Sequence, residues 1–129
     1  MQILGNGVDI VENYRIKKAI KNKNFIKRIY SVSEIKDSKK IRDKVSFFAK
    51  RFAAKEAFVK SLGSGFRYGI NFNDIFVKNN PKTGQPNIFI TDNIKKILNK
   101  KFKKKKLKFF LSLADEKKYS IAFVIINEN

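Results

Sequence analysis

Two carboxylates stand where apolar residues are expected. Asp9 interrupts the apolar run of residues 7–11 (GVDIV), and aspartate is unusual inside a strand. Glu56 falls within about 20° of the line along which the apolar residues of a predicted long helix project. A buried carboxylate is costly unless something neutralises it. Carboxylate oxygens from two elements, completed by water and a phosphate, would suit Mg²⁺, so this pair is a candidate metal site.

The pattern alone leaves structural roles open for both residues. Glu56 precedes Lys60 by four positions, which is the order that favours an ion pair along a helix. Asp9 could end a strand and cap a helix that begins near Glu12. If the carboxylates are functional, Lys60 would meet anionic oxygens beside them. Asp9, Glu56 and Lys60 are therefore the candidate catalytic residues.

Missing residue types narrow the chemistry further. The chain contains no histidine, cysteine or tryptophan, which excludes zinc sites built on Cys or His and nucleophiles that depend on His. Proton transfer must use Asp, Glu, Lys, Tyr or water. A metal held by the protein must take oxygen ligands, which favours Mg²⁺, Mn²⁺ or Ca²⁺. Without cysteine, signal-peptide pattern or long apolar stretch, we expect a cytoplasmic protein with no membrane partner.

The charge balance has two competing explanations. The 129 residues include 30 Lys and Arg against 11 Asp and Glu, a formal net charge of +19. Much of the lysine could simply be solvated surface in a chain that is rich in Lys, Ile, Asn and Phe throughout. The charge could instead serve an acidic partner, whether nucleic acid, a polyphosphate or an acidic protein.

Hydrophobic periodicity and turn residues predict one domain over residues 1–129, a length that suffices for one core and not two. Predicted strands cover residues 3–11, 69–78, 86–91, 107–114 and 119–126, with a hairpin turn at residues 80–84 (NPKTG). Predicted helices occupy residues 12–30 with a break at 22–24, a short segment from the capping box Ser31-x-x-Glu34, a long segment from Asp43 to Leu62, and a last one from Asp92 to about Lys101. The long helix should bury Val45, Phe48, Ala49, Phe52 and Val59, which lie within roughly 40° of one line.

Two long segments resemble the motifs of a known family. Residues 7–12 (GVDIVE) with Arg15-Ile16, and residues 51–57 (RFAAKEA) continuing to Lys60 and to residues 62–65 (LGSG), resemble the holo-acyl-carrier-protein synthases, small 4′-phosphopantetheinyl transferases. Residues 80–86 (NPKTGQP) resemble the hairpin turn of that family, and residues 111–113 (LSL) the start of its third motif. Order and spacing agree over essentially the whole chain.

The resemblance implies a fold, an assembly and a set of site residues. The fold would be a compact α+β domain with a mostly antiparallel sheet packed on a long helix, and three copies would form a ring with active sites between subunits. Magnesium would bind Asp9 and Glu56 and bridge to the coenzyme A diphosphate. Arg15 would receive an acidic carrier protein, whose approach the positive charge would speed. The implied coenzyme A-binding residues are Arg51, Lys60, Gly63, Ser64, Gly65 and Pro86.

The implied reaction moves 4′-phosphopantetheine from coenzyme A to a serine of apo-acyl carrier protein, releases 3′,5′-ADP and supports fatty acid biosynthesis. One departure concerns Ala114-Asp115, where the family usually has serine and then a histidine near the nucleotide. The nucleotide contacts are therefore expected to be made differently in this chain.

Two other functions compete with this interpretation. A small RNA-binding protein of ribosome-associated type would fit the charge and the phenylalanine content, although no RNA-binding signature is evident. A related scaffold that has lost catalysis would fit the missing histidine, although intact Asp9, Glu56 and Lys60 argue against it.

Overall fold

The computed structural model describes residues 2–63, 69–103 and 105–129. In chain order the elements are β1 (Gln2–Glu12), α1 (Asn13–Ala19), α2 (Lys23–Ile29), α3 (Val32–Ser38), α4 (Lys44–Ser61), a 3₁₀ turn (Phe72–Asp74), β2 (Ile75–Asn79), β3 (Pro86–Ile90), α5 (Asp92–Lys101), β4 (Leu107–Asp115) and β5 (Tyr119–Glu128). The predicted α+β class, with antiparallel strands packed on a long helix, is confirmed.

The strands form two antiparallel sheets in the described part of the chain. One has the order β1-β5-β4, and the other is the hairpin β2-β3. The predicted hairpin turn is present, because Asn80 Oδ1 accepts the backbone N–H groups of Lys82 and Thr83 at 2.8 and 3.2 Å. An Asn side chain that bonds its own backbone in this way is a strong local turn former.

Helix α4 is covered on more than one side, which corrects the predicted single buried stripe. The sheet β1-β5-β4 packs on one side, while α1, α3 and β2 contact the helix elsewhere. Val45 and Phe52 of the predicted stripe are only half-buried, whereas Phe47, Lys55 and Phe58 lie off that stripe and are buried. A helical projection with one buried side suits a surface helix, and α4 is an inner helix.

Two further boundaries differ from prediction. The strand predicted from residue 69 begins only at Ile75, because Gly69 has φ +70° and residues 72–74 form the 3₁₀ turn. Thr91, not Asp92, is the N-cap residue of α5, and it makes no side-chain cap hydrogen bond. The capping box at Ser31 and the Asp43 cap of α4 are confirmed. Among the described residues, no helix combines the length and apolar character needed to cross a membrane.

Glycine in β1 allows the strand to lie directly on the backbone of α4. A Cβ added at Gly7 would clash with the Ala57 carbonyl oxygen and lie 2.7 Å from the Ser61 amide nitrogen. Both atoms belong to helix backbone, which cannot move aside as a side chain can. This contact fixes the height of β1, and hence of Asp9, above the helix.

We therefore expect Gly7→Ala to lower the free energy of unfolding by about 1–3 kcal/mol, the usual range for overpacking. Lys96, exposed on α5, provides the control, since Lys96→Ala should change stability by no more than about 0.5 kcal/mol. Urea unfolding followed by circular dichroism measures both variants. Wild-type stability in Gly7→Ala would mean that β1 and α4 are not in close backbone contact.

Candidate active site

Asp9 lies inside β1 and faces α4. It pairs with Ala122 of β5, and it shares the helix-facing side of the strand with Gly7 and Val11, since side chains alternate along a strand. Helix α1 begins later, after Glu12, which is its N-cap residue and makes no side-chain cap hydrogen bond. The alternative role of Asp9 as a helix cap is therefore wrong.

Lys60 connects the last turn of α4 to β1. Its Nζ donates to Asp9 Oδ1 at 2.9 Å and to the Val8 carbonyl oxygen at 3.3 Å. The ion pair that Lys60 forms is thus with Asp9, rather than with Glu56 along the helix. The hydrogen bond to Asp9 raises the pKa of Lys60, and the charges of Asp9 and Glu56 act in the same direction. Lys60 is consequently an ammonium group at neutral pH.

Glu56 is half-buried and belongs to the same cluster. Burial raises the pKa of Glu56, the charge of Asp9 raises it further, and the charges of Lys60 and Arg15 lower it. Asp9 and Glu56 are therefore close enough to repel each other. A divalent cation would relieve this repulsion, and two carboxylates are a suitable protein contribution to a Mg²⁺ site. Within the described ranges no group of three Asp, Glu, His or Cys side chains could hold a metal, so substrate oxygens and water would have to complete the coordination.

Arg51 and Pro86 line a second feature, a cavity of approximately 390 Å³ between α4, the β2–β3 turn and β4. The Arg51 side chain is only 5 % exposed, and its guanidinium carbon lies 3.6 Å from the centre of the Phe47 ring. Its Nε has no hydrogen-bond partner. An unpaired buried donor is unfavourable. Arg51 as a whole lines the cavity, and its planar guanidinium is a cation suited to an anionic ligand. The other residues around the cavity are Lys50, Asn79, Gly84, Gln85, Leu111, Ser112, Leu113 and Asp115.

The two features lie on different sides of the chain. Arg51 and Glu56 are five residues apart, which places their side chains about 140° apart around α4. Asp9 is on β1, whereas the cavity borders β4 on the far side of β5, about 10 Å across the sheet. The structure thus brings Asp9, Glu56 and Lys60 together, and Arg51 and Pro86 together, but it does not merge the two groups within one chain.

The remaining predicted residues lie near the carboxylate cluster or outside the described residues. Arg15 is exposed on α1, and its charge lowers the pKa of Glu56. Gly63 follows α4 with φ +81°, and its N–H donates to the Lys60 carbonyl at 3.0 Å. Ser64 and Gly65 fall within 64–68, outside the described residues.

Several polar residues of the cavity were not identified from the sequence. Lys50, Asn79 and Gln85 look like ordinary surface residues in a chain with so many lysines and amides. Two features of the sequence could have pointed to this cavity. Ser46 and Lys50 are four residues apart and therefore share one face of the helix. The Leu-Ser-Leu segment lies on β4 and forms one wall of the cavity.

A cluster of two carboxylates and a lysine, together with a cation-lined cavity, is typical of proteins that act on phosphorylated ligands. Residues 5–124 match the model of the 4′-phosphopantetheinyl transferase superfamily. The chain belongs to this family.

Individual relatives agree along their whole length. The chain is 59 % identical over 128 residues to a holo-[acyl-carrier-protein] synthase of Pelagibacter ubique, covering 99 % of each chain. It resembles the crystal structure of holo-[acyl-carrier-protein] synthase from Neisseria meningitidis with a TM-score of 0.88 at 32 % identity, covering 98 % of this chain and 100 % of that one. The Helicobacter pylori enzyme in complex with coenzyme A gives a TM-score of 0.79 at 31 % identity, covering 95 % and 99 %.

Proposed function

We propose that this chain transfers 4′-phosphopantetheine from coenzyme A to a serine of an apo-acyl carrier protein. The products are the holo-carrier and 3′,5′-ADP, and the reaction supports fatty acid biosynthesis in the cytoplasm, with residues 1–129 acting as one transferase domain. The observation that carries this proposal is the cluster of Asp9, Glu56 and Lys60, which β1 and α4 assemble in a chain so similar to known synthases.

Mg²⁺ is the cofactor that the carboxylate pair fits best. Asp9 and Glu56 supply oxygen ligands, and the repulsion between them is the condition that a bound divalent cation relieves. When bound there, Mg²⁺ would supply positive charge that orients the coenzyme A diphosphate and stabilises charge at phosphorus. With no histidine or cysteine in the chain, zinc is a poor alternative.

The side chains of the site would stabilise the leaving group, and a carboxylate or water would accept the serine proton. The carrier serine attacks the β-phosphate of coenzyme A, and the bond to 3′,5′-ADP breaks. Lys60, held by Asp9, neutralises charge on the leaving phosphate, which is where fixed charge accelerates phosphoryl chemistry. Because the chain has no imidazole, the serine proton passes to a carboxylate of the site or to water.

The positions of the proposed coenzyme A-binding residues support a site shared between copies of the chain. The cavity that Arg51 and Pro86 line borders β4, which is two strands and about 10 Å across the sheet from β1. Arg51 also lies on a different side of α4 from Glu56. We propose that one copy provides Asp9, Glu56, Lys60 and residues 63–65, and that a neighbouring copy provides Arg51 and Pro86. Three copies in a ring would place one such site at each of three interfaces.

The outer face of the sheet β1-β5-β4 supports this assembly. Val8, Ile10 and Phe123 are 55 %, 59 % and 41 % exposed, and Phe110 and Ile121 continue the same apolar surface. An apolar patch on the face opposite α4 is what a subunit interface requires. We propose that second and third copies cover it.

We expect Phe123→Asp to convert the trimer into monomers and to remove transfer activity, because a charge would be buried at the centre of the interface. Sedimentation measures the mass, which should be three times the 15.0 kDa of one chain for the wild type. Lys82→Asp, at the exposed hairpin turn, is the control and should remain trimeric. A wild-type chain that sediments as an active monomer would contradict the assembly.

The carrier protein is proposed to dock on α1 and α2. Arg15 lines a surface cavity of approximately 510 Å³ together with Lys18, Phe25 and Arg28, which offers three cations around one aromatic ring. The charge of Arg15 lowers the pKa of Glu56, which supports a docking surface next to the carboxylate cluster. An acidic helix bound here would bring its serine next to the coenzyme A diphosphate.

Arg15→Glu should lower kcat/KM for the carrier by roughly 10²-fold, mainly through KM, because reversing a charge turns an attraction into a repulsion. The KM for coenzyme A should change little. Lys96→Glu, exposed on α5, reverses the same charge away from this surface and serves as the control. If kcat/KM for the carrier falls equally in both variants, Arg15 contributes only through the net charge of the chain and not through a specific docking surface.

The proposed function is tested by the release of 3′,5′-ADP, which chromatography separates from coenzyme A. Release should require both the chain and an apo-carrier, and it should disappear when the acceptor serine of the carrier is replaced by alanine. Release without any carrier would indicate hydrolysis of coenzyme A and would contradict group transfer.

A further inference from the structure

A lysine and an aspartate meet at the cavity that contains Arg51. Lys50 Nζ lies 3.7 Å from Asp115 Oδ1, and the Ser46 hydroxyl donates to Asp115 Oδ2 at 2.6 Å. Ser46 and Lys50 are four residues apart and therefore share one face of α4. Asp115, at the end of β4, thus holds the Lys50 ammonium beside the cavity that both residues line.

The side chains that line this cavity have more positive than negative charge. Asp115 opposes the Lys50 charge, but the side chains of both are partly exposed, so their attraction is screened by water. Arg51 is buried, and the charges of Glu34 and Asp37 act on it from outside the cavity. Among the described residues that line this cavity, the charged groups are two cations and one carboxylate. An anion with more charge than a carboxylate would satisfy both cations.

We propose that Lys50, positioned by Asp115, is a specificity residue that selects ligands with a terminal phosphate monoester. A phosphate dianion can bind the planar Arg51 guanidinium and the point charge of Lys50 at the same time. Asp115 competes with the phosphate for Lys50 and so limits the affinity of the cavity for anions. The inference rests on the proposed function, in which Asp9, Glu56 and Lys60 bind the diphosphate of coenzyme A. The phosphate left for this cavity is then the 3′-phosphate.

Comparing coenzyme A with 3′-dephospho-coenzyme A isolates this interaction. The wild type should prefer coenzyme A in kcat/KM, and Lys50→Met should reduce that preference about tenfold, the usual loss for one charge-assisted hydrogen bond. The kcat/KM for 3′-dephospho-coenzyme A should stay unchanged. Lys36→Met removes an exposed lysine of α3 and should keep the wild-type preference.

Asp115→Asn is a second variant, and it should strengthen the binding of the 3′-phosphate, whereas Lys50→Met should weaken it. Asparagine keeps an oxygen for the Ser46 hydroxyl but removes the competing charge, so 3′,5′-ADP should bind several-fold more tightly by calorimetry. Binding of 5′-AMP, which lacks the 3′-phosphate, should not change.

Two results would overturn the inference. One is a preference for coenzyme A that survives Lys50→Met, and the other is an equal loss with both substrates, which would make Lys50 merely structural. If the wild type transfers nothing from either substrate, the proposed function fails. The calorimetric comparison of 3′,5′-ADP with 5′-AMP in wild type and Lys50→Met then still decides the role of Lys50.

Discussion

Glu56→Gln is expected to lower phosphopantetheinyl transfer by roughly 10³-fold or more, because it removes a charged oxygen ligand from the proposed Mg²⁺ site. Glutamine has the same shape, so substrate access should not change. The rate is measured by the release of 3′,5′-ADP at saturating Mg²⁺. Glu12→Gln, at the exposed end of β1, removes an equal charge outside the cluster and should retain full activity.

The same substitution should not weaken the fold. Burial and Asp9 raise the pKa of Glu56 in the folded chain, so the folded state holds this proton to higher pH than the unfolded chain does. Stability therefore falls as pH rises above the unfolded pKa, and ionised Glu56 destabilises the fold at neutral pH. Glu56→Gln should unfold at the wild-type urea midpoint or above it. Near-normal transfer in this variant would contradict the assignment, whereas a lower midpoint would give Glu56 a structural role.

Lys55→Met should be the most destabilising substitution in α4, with a loss of about 3–5 kcal/mol in the free energy of unfolding. Lys55 and Glu34 are fully buried, and Lys55 Nζ lies 2.6 Å from Glu34 Oε1. The ammonium also donates to the carbonyl oxygens of Phe72 and Ile75. Its removal would leave the buried Glu34 carboxylate without its hydrogen-bonded counter-charge, while the charge of Arg51 would still act on it.

Urea unfolding of three variants tests this pair. Lys36→Met, an exposed lysine, should be nearly neutral. The double variant Glu34→Gln with Lys55→Met should recover part of the loss of Lys55→Met, because no buried charge then stays unpaired. A double variant that is no more stable than Lys55→Met would contradict the coupling of the two side chains.

Local signals in the sequence were sufficient for turns and helix ends. The capping box at Ser31 and Glu34, the Asp43 cap and the Asn80 turn depend on bonds across two or three residues, so residue type and spacing suffice to predict them. The long-range role of Glu34 was not predictable in this way. Its Oε2 accepts the N–H of Val77, which is 43 residues away.

Hydrophobic periodicity did not correctly predict which residues of α4 are buried. A projection with one buried face placed Glu56 in the core and left Lys55 outside it, whereas Lys55 is fully buried and Glu56 only half-buried. The error arises because the sheet covers one side of α4, while α1, α3 and β2 cover others. Sequence spacing contains no information about how many layers will surround a helix.

The candidate site was predictable only in part. Asp9 and Glu56 were identified as misplaced carboxylates, and the structure brings them together through the close backbone contact at Gly7. The partner of Lys60 was not predictable, because Asp9 is far away in sequence. The separation of Arg51 and Pro86 from the carboxylate cluster reflects the three-dimensional order of the strands, which local patterns do not determine.

Intact-mass spectrometry of an apo-acyl carrier protein, incubated with this chain, coenzyme A and Mg²⁺, tests the central claim most directly. We predict a gain of one phosphopantetheine mass, lost when EDTA is added and restored by excess Mg²⁺. No gain, with the chain folded and the same carrier accepted by another transferase, would contradict the proposed reaction. A gain that is indifferent to EDTA would contradict the metal site at Asp9 and Glu56.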